Sequence, residues 1–376
     1  MKYRKFEKGG SDVSLLGFGA MRLPQLPNSD DVDEEEAIRM IRHAIDSGVN
    51  YVDTAYVYHG GNSEIIVGKA LSDGYREKTL LATKLPLWSC DDEEKIHAIF
   101  EEQLRKLGTG HIDMYLMHNI NEGNFHKVKS LKIYDILEQK RKEGKIRFIG
   151  FSTHPESPKL FKEILDEHPW DFCQLQLNYM DKFVQAGFEG YEYAVAKKVP
   201  VVVMEPLKGG SLTGNVPPSV QKCWDSLSPA RTPAEWALRW AANLPGVITI
   251  LSGMSEMGQL EENIRVLSDA EMNSLSASEL AVFDKVAEEY DKLIVYPCTG
   301  CKYCMPCAAE IDIPEIIGFR NSLPRYGLIK KLLDEYHMWV PHKASDCIAC
   351  GKCEPHCPQH LEIIKIMKET AELYGA

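Results

Sequence analysis

Between Val13 and about Arg265, short apolar runs rich in β-branched residues alternate with longer stretches in which apolar residues recur at helical spacing. The runs lie near 15–19 and at 50–53, 80–84, 112–117, 148–151, 172–177, 199–204 and 247–251. They are apolar throughout rather than alternating, as expected of strands covered on both faces of a parallel sheet. Between them, Ile38, Ile41 and Ile45 share one face of a helix that Asp33 caps and Gly48 ends. Ile96, Ile99, Phe100, Leu104 and Leu107 stripe a second helix over 91–107, and a third covers 129–142. Eight strand–helix units in succession predict an α/β fold, a (β/α)8 TIM barrel, with its chemistry at the C-terminal ends of the strands.

The chain has 376 residues, more than the roughly 250 a barrel takes. A polar interval with a helical stretch at 268–292 precedes a cysteine-rich tail. The expected division is therefore a barrel over 1–267, a helical linker over 268–295 and a small domain over 296–376. Apolar residues make up 44% of the chain and charged residues 26%, the composition of an ordinary globular protein. The net charge is -12 and no basic run exceeds Lys140-Arg141-Lys142, which argues against nucleic acid as a partner. Neither a signal core nor an apolar run long enough to span a bilayer is legible, so the expectation is a cytoplasmic protein without a membrane partner.

Polar residues that directly follow apolar strands are the first candidates for chemistry. Asp53 closes the second run, Tyr58 follows in its loop, Lys84 closes the third and His118 follows the fourth. Taken singly, Lys84 reads equally well as a solvated residue and Asp53 as a helix cap. Together, in this order, they aim four ionisable groups into one mouth. The stretches Asp53-Thr54-Ala55-Tyr56-Val57-Tyr58, Ala82-Thr83-Lys84 and Tyr115-Leu116-Met117-His118 resemble the tetrad motifs of the aldo-keto reductase family, a likeness that covers most of 1–265.

That resemblance implies a (β/α)8 oxidoreductase that passes hydride between a nicotinamide nucleotide, NAD(H) or NADP(H), and an aldehyde, ketone or alcohol. It makes Tyr58 the general acid, Lys84 the cation that lowers its pKa from ~10, Asp53 the partner of Lys84, and His118 the group that orients the substrate oxygen. Ser152, in Gly150-Phe151-Ser152-Thr153-His154, and Gln174 match the family's carboxamide contacts, with Thr153 where the family has Asn. Met204 stands at the position of a stacking aromatic ring. On the adenosine side, Ser252, Gly253, Gln259, Glu262 and Asn263 cover the family's pattern, but its two cations are Gly253 and Gln259 here. A 2′-phosphate then lacks charge-assisted partners, which tilts the expectation toward NADH.

Eight of the eleven cysteines fall between Cys298 and Cys357, and Cys90, Cys173 and Cys223 are scattered. In a cytosolic chain such clustering means metal rather than disulfides, with zinc and iron–sulfur both open on spacing alone. The runs Cys298-x2-Cys301-x2-Cys304-x2-Cys307 and Cys347-x2-Cys350-x2-Cys353-x3-Cys357-Pro358 resemble bacterial two-cluster ferredoxins. The resemblance implies two [4Fe–4S] clusters with crossed ligation. Cys298, Cys301, Cys304 and Cys357 would hold one; Cys347, Cys350, Cys353 and Cys307 would hold the other. The first run departs from the pattern in its shorter last spacing and in Ala308 where Pro is expected. His342, His356 and His360 read as surface residues.

The expected protein is thus an NAD(P)-dependent carbonyl reductase whose clusters pass electrons, with or without a partner protein, or staple the tail. An electron-transfer or redox-sensing protein with a nucleotide-binding barrel is the alternative. Hydride carries two electrons and a cluster passes one, for which flavin is the common mediator, yet no flavin motif is legible. Substrate choice would reside in loops 85–90, which carries Trp88, and 119–127.

Overall fold

The structure, a computed structural model, describes residues 1–375. It opens with an antiparallel hairpin, β1 (Tyr3–Phe6) and β2 (Ser11–Ser14), which the sequence pattern does not predict. Eight parallel strands follow: β3 (Leu16–Gly19), β4 (Tyr51–Asp53), β5 (Leu80–Pro86), β6 (Ile112–His118), β7 (Ile146–Thr153), β8 (Phe172–Gln176), β9 (Val201–Met204) and β10 (Val247–Ser252). They close in the order β10-β3-β4-β5-β6-β7-β8-β9, the barrel anticipated from the eight apolar runs. Phe6 and Val13 of the hairpin join Tyr51, Leu80, Met114, Phe172 and Ile248 in one buried cluster. The hairpin thus supplies apolar side chains to the barrel core, which is why its short strands are stable at all.

Helix boundaries follow local chemistry. The Asp33 side chain accepts from the Glu36 amide at 3.0 Å and starts Glu34–Asp46, and Asp92 caps Glu93–Leu107 in the same way. The single helix expected over 129–142 is two, Phe125–Ser130 and Ile133–Lys142. Lys132 between them sits at φ 49, a left-handed conformation that no continuous helix accommodates.

The chain divides into two compact units, residues 1–207 with 235–275, and 208–234 with 276–376. The first holds the hairpin and barrel. In the second, the Pro218–Asp225 helix meets Ala277–Asp291 through Trp224 and Phe283, whose rings stand 5.3 Å apart. The segment 208–234, expected within the barrel domain, and the helix expected as a linker both fall in this unit. Ser276 and Glu279 form a capping box that starts Ala277–Asp291 sharply. Helices Ile313–Tyr326, Lys330–Trp339 and Ile363–Tyr374 pack around Phe319, Tyr336 and Tyr374, and the cysteine runs lie in loops beside them. Among the described residues no helix is long and apolar enough to cross a membrane.

Candidate functional site

The parallel register places Asp53, Lys84 and His118 at one end of three adjacent strands, and Tyr58 follows β4 in the turn Tyr58–Gly61. Asp53 pairs with Ala82, Lys84 lies two residues further along β5, and Pro86 pairs with His118. Lys84 is wholly buried and Asp53 is 3% exposed. The Lys84 ammonium donates to Asp53 Oδ1 and to the Thr54 carbonyl, each at 2.6 Å. A charge so deep persists only when it is paired and hydrogen-bonded. Lys84 Nζ stands 5.0 Å from the Tyr58 ring centre, and the Tyr58 and His118 rings are 6.0 Å apart at 85°. Trp88, 48% exposed, lies 5.1 Å from the His118 ring.

Electrostatics sort these groups. Burial disfavours the Lys84 charge, but Asp53 and Tyr58 more than offset it and hold the ammonium above its ordinary pKa. Burial drives Tyr58 upward, and Lys84 only partly opposes this. The expected lowering by Lys84 is thus present in direction but outweighed by burial. Burial, with the Lys84 and His154 charges, holds His118 well below the usual imidazole range. At neutral pH His118 is therefore a neutral hydrogen-bonding group.

Behind Lys84 lies a buried polar network that the sequence reading missed. Gln103 Nε2 donates to the Lys84 carbonyl at 3.0 Å and to Glu64 Oε1 at 2.8 Å; Thr83 also donates to Glu64, and Tyr115 to Gln103 Oε1. A signal existed: Gln103 falls on the apolar stripe of its helix, three residues after Phe100.

The nucleotide candidates occupy the ends of the next four strands. Ser152 on β7 pairs in register with Gln174 on β8, Gln176 pairs with Met204 on β9, and Ser252 ends β10. Gln174 Nε2 lies 3.8 Å from Met204 Sδ, while its buried Oε1 has no partner among the described residues. A carboxamide N–H would satisfy that oxygen, so these residues fit the nicotinamide end of a nucleotide. Thr153, in place of the family's Asn, instead gives its hydroxyl to the Ile120 carbonyl. Asn263 donates to Ser252 Oγ at 3.0 Å, and Gln259 accepts from the Ser255 amide at 3.0 Å, at the start of the helix Met257–Asp269 that also carries Glu262. A Cβ on Gly253 would meet the Arg22 stem at 3.1–3.3 Å, so glycine here admits Arg22 to the strand end.

The tail thiols gather around two cavities. Cys304, Cys307, Cys347, Cys350 and Cys353 line one of about 330 Å³; Cys298, Cys301, Cys304 and Cys357 line the other, so Cys304 borders both. Cys307 thus lies with the second run and Cys357 with the first. Burial raises the Cys304 thiol, with Cys298, Cys301 and Cys357 adding to it, and burial raises Cys353 to about 11, with Cys347 and Cys307 contributing. Among the described residues no three such side chains close on a single-ion site. The two runs also share a backbone: Gly300 and Lys302 have positive φ, as do Ala349 and Gly351 at the matching positions. Left-handed residues inside such loops turn successive amides to one side, a concavity suited to an anionic thiolate cluster. His356 borders the larger cavity, and His342 pairs with Glu310 at 3.3 Å.

Comparison with known proteins agrees with both halves. The sequence profile of the Aldo/keto reductase family matches residues 15–288, and that of a 4Fe-4S dicluster domain matches 297–362. L-galactose dehydrogenase of Arabidopsis thaliana is 27% identical over 312 residues, 78% of this chain and 96% of that protein. Aldo-keto reductase YhdN of Bacillus subtilis (strain 168) is 28% identical over 298 residues, 69% of this chain and 87% of its own. The holo form of aldo-keto reductase AKR11C1 from Bacillus halodurans superposes with a TM-score of 0.64 at 27% identity, covering 76% of this chain and 96% of its own. An aldo-keto reductase from Klebsiella pneumoniae in complex with NADPH shares the fold at 22% identity, with a TM-score of 0.63 and the same coverage.

Proposed function

The chain belongs to the aldo/keto reductase family, and from that premise we propose that it transfers hydride between a nicotinamide nucleotide and a small carbonyl or alcohol in the barrel mouth. The observation that carries this reading is the wholly buried Lys84 ammonium, held by Asp53 and set against Tyr58 and His118. Bound nicotinamide supplies the hydride. Tyr58 holds the proton that the developing alkoxide takes up, and Lys84 stabilises the tyrosinate left behind. Asp53 keeps Lys84 charged and in place. His118, neutral, donates to the substrate oxygen and aims it at Tyr58. Ser152 and Gln174 orient the carboxamide, Met204 packs beside it, and Ser252, Gly253, Gln259, Glu262 and Asn263 face the adenosine half. Cys298, Cys301, Cys304 and Cys357 would hold one [4Fe–4S] cluster and Cys307, Cys347, Cys350 and Cys353 a second; when bound, the clusters supply one-electron capacity.

The pKa directions give a test. Tyr58 stands above ~10 and His118 well below ~6.5. Neither therefore titrates near neutrality, and kcat for carbonyl reduction is expected to be flat from about pH 7 to about pH 9, falling only when alkali removes the Tyr58 proton. Alcohol oxidation, which needs tyrosinate as base, rises over the same alkaline range. Rate profiles in both directions check this; a loss of reduction between neutrality and mild alkali contradicts it.

The nucleotide gives a second. With Gly253 and Gln259 at the family's cationic positions, a 2′-phosphate forgoes charged contacts of ~1.5–3 kcal/mol each, roughly one to two orders of magnitude in affinity apiece. NADH is expected to bind at least as tightly as NADPH when both are titrated at one salt concentration. A clear preference for NADPH overturns this and points to Arg22, lying along Gly253, as the replacement cation.

A further inference from the structure

We propose that His59 is a positioning residue of the barrel reaction, its ring tying the turn that carries Tyr58 to the loop 21–23; this rests on reading Tyr58 as the acid. The chain reverses sharply after Tyr58. His59 has φ 51 and ψ 46, Gly60 has φ 63 and Gly61 φ 90. Glycine adopts such angles freely, whereas a non-glycine residue there is uncommon and strained. The turn keeps histidine although glycine would make it without strain, and the side chain has a defined partner. The Leu23 amide donates to His59 Nε2 at 3.2 Å. With Nε2 accepting, the proton resides on Nδ1 and the ring is neutral.

The tie closes a circuit around the acid. The Ala20 amide donates to the Asp53 carbonyl at 2.8 Å, and Ser63 Oγ, itself bonded to Thr54, donates to the Ala20 carbonyl at 3.0 Å. The loop is thus anchored to β4 at its start and to His59 three residues later. Tyr58 itself is set against Lys84 and His118, and Lys84 is held by Asp53, the residue whose carbonyl anchors this loop. Without the ring, the loop is held near the Tyr58 turn only at Ala20, through Asp53 and Ser63, the 21–23 segment loses its tie to that turn, and the hydroxyl samples positions away from the substrate oxygen. A displacement near 1 Å costs up to ~100-fold in rate.

The test uses the full chain with its clusters. His59→Asn keeps a residue that tolerates left-handed angles but shortens the side chain below reach of the Leu23 amide; His59→Gln restores an acceptor of similar length. Amide exchange in the nucleotide-free protein should be at least ~10-fold faster at Leu23 in His59→Asn than in wild type. Its kcat should fall by ~10-fold or more with nucleotide Kd and carbonyl KM within about three-fold, and His59→Gln should recover part of the rate. Wild-type exchange at Leu23, or wild-type kcat, in His59→Asn overturns the proposal. Tyr58→Phe separates the two layers: if it is inactive while His59→Asn is fully active, the proposal alone fails; if it is active, the reading of Tyr58 fails and the proposal with it.

Discussion

Replacing Tyr58 with phenylalanine is expected to lower kcat for carbonyl reduction by ~1000-fold or more while leaving the fold and nucleotide affinity unchanged, since a positioned general acid contributes up to ~10⁴. The substitution removes one hydroxyl and keeps the ring, so the 5.0 Å approach of Lys84 and the 6.0 Å contact with His118 both survive. The Lys84–Asp53 pair also keeps its second acceptor, the Thr54 carbonyl, and no buried charge is orphaned. Only the transferable proton is lost. Steady-state rates beside a nucleotide titration check the split; near wild-type kcat would remove Tyr58 from the mechanism.

The second large effect lies in the tail. Protein prepared without oxygen is expected to carry about eight irons, four per cubane, and Cys357→Ser to retain about four. Cys357 belongs by sequence to the second run, yet it lines the smaller cavity with Cys298, Cys301 and Cys304. Its loss should therefore strip the cluster of the first run and spare the one held by Cys347, Cys350, Cys353 and Cys307. Because the thiols order the loops only when ligated, thermal stability of the tail should fall with the iron. Iron and sulfide analysis, with the spectrum of the remaining cluster, reads the result. Zinc in place of iron, or loss of the other cluster, would refute the crossed assignment.

The barrel was legible because each of its strands is an apolar run of parallel-sheet type bounded by polar helix caps such as Asp33 and Asp92, and local signals suffice for that. β5 runs past its expected end to Pro86, because pairing with β6 extends it beyond the point where composition turns polar, whereas β8 stops at Gln176, one residue short. The hairpin was illegible: Tyr3–Phe6 has a single buried residue, Phe6, and its place depends on the barrel core it enters. The break at Lys132 carries no Gly or Pro to announce it. Grouping of 208–234 with the tail is a tertiary fact carried by contacts such as Trp224 with Phe283. At the site, the order Asp53, Tyr58, Lys84, His118 announced which groups would gather at one end of the barrel, whereas the direction of the Tyr58 pKa depends on burial, which no linear pattern encodes. His59 gave no signal either, since its significance lies in one backbone angle and one distant amide.

The most direct test of the central claim follows the hydride itself. Nucleotide deuterated at the transferring position of its reduced nicotinamide is incubated, without oxygen, with the cluster-loaded protein and a panel of small aldehydes and ketones, and the alcohols are examined by mass spectrometry. Direct transfer in the barrel mouth predicts one deuterium on the former carbonyl carbon with wild-type protein, and none above background with Tyr58→Phe. Nucleotide oxidation that reduces the clusters while no labelled alcohol forms would contradict the account and make the barrel an electron entry site instead.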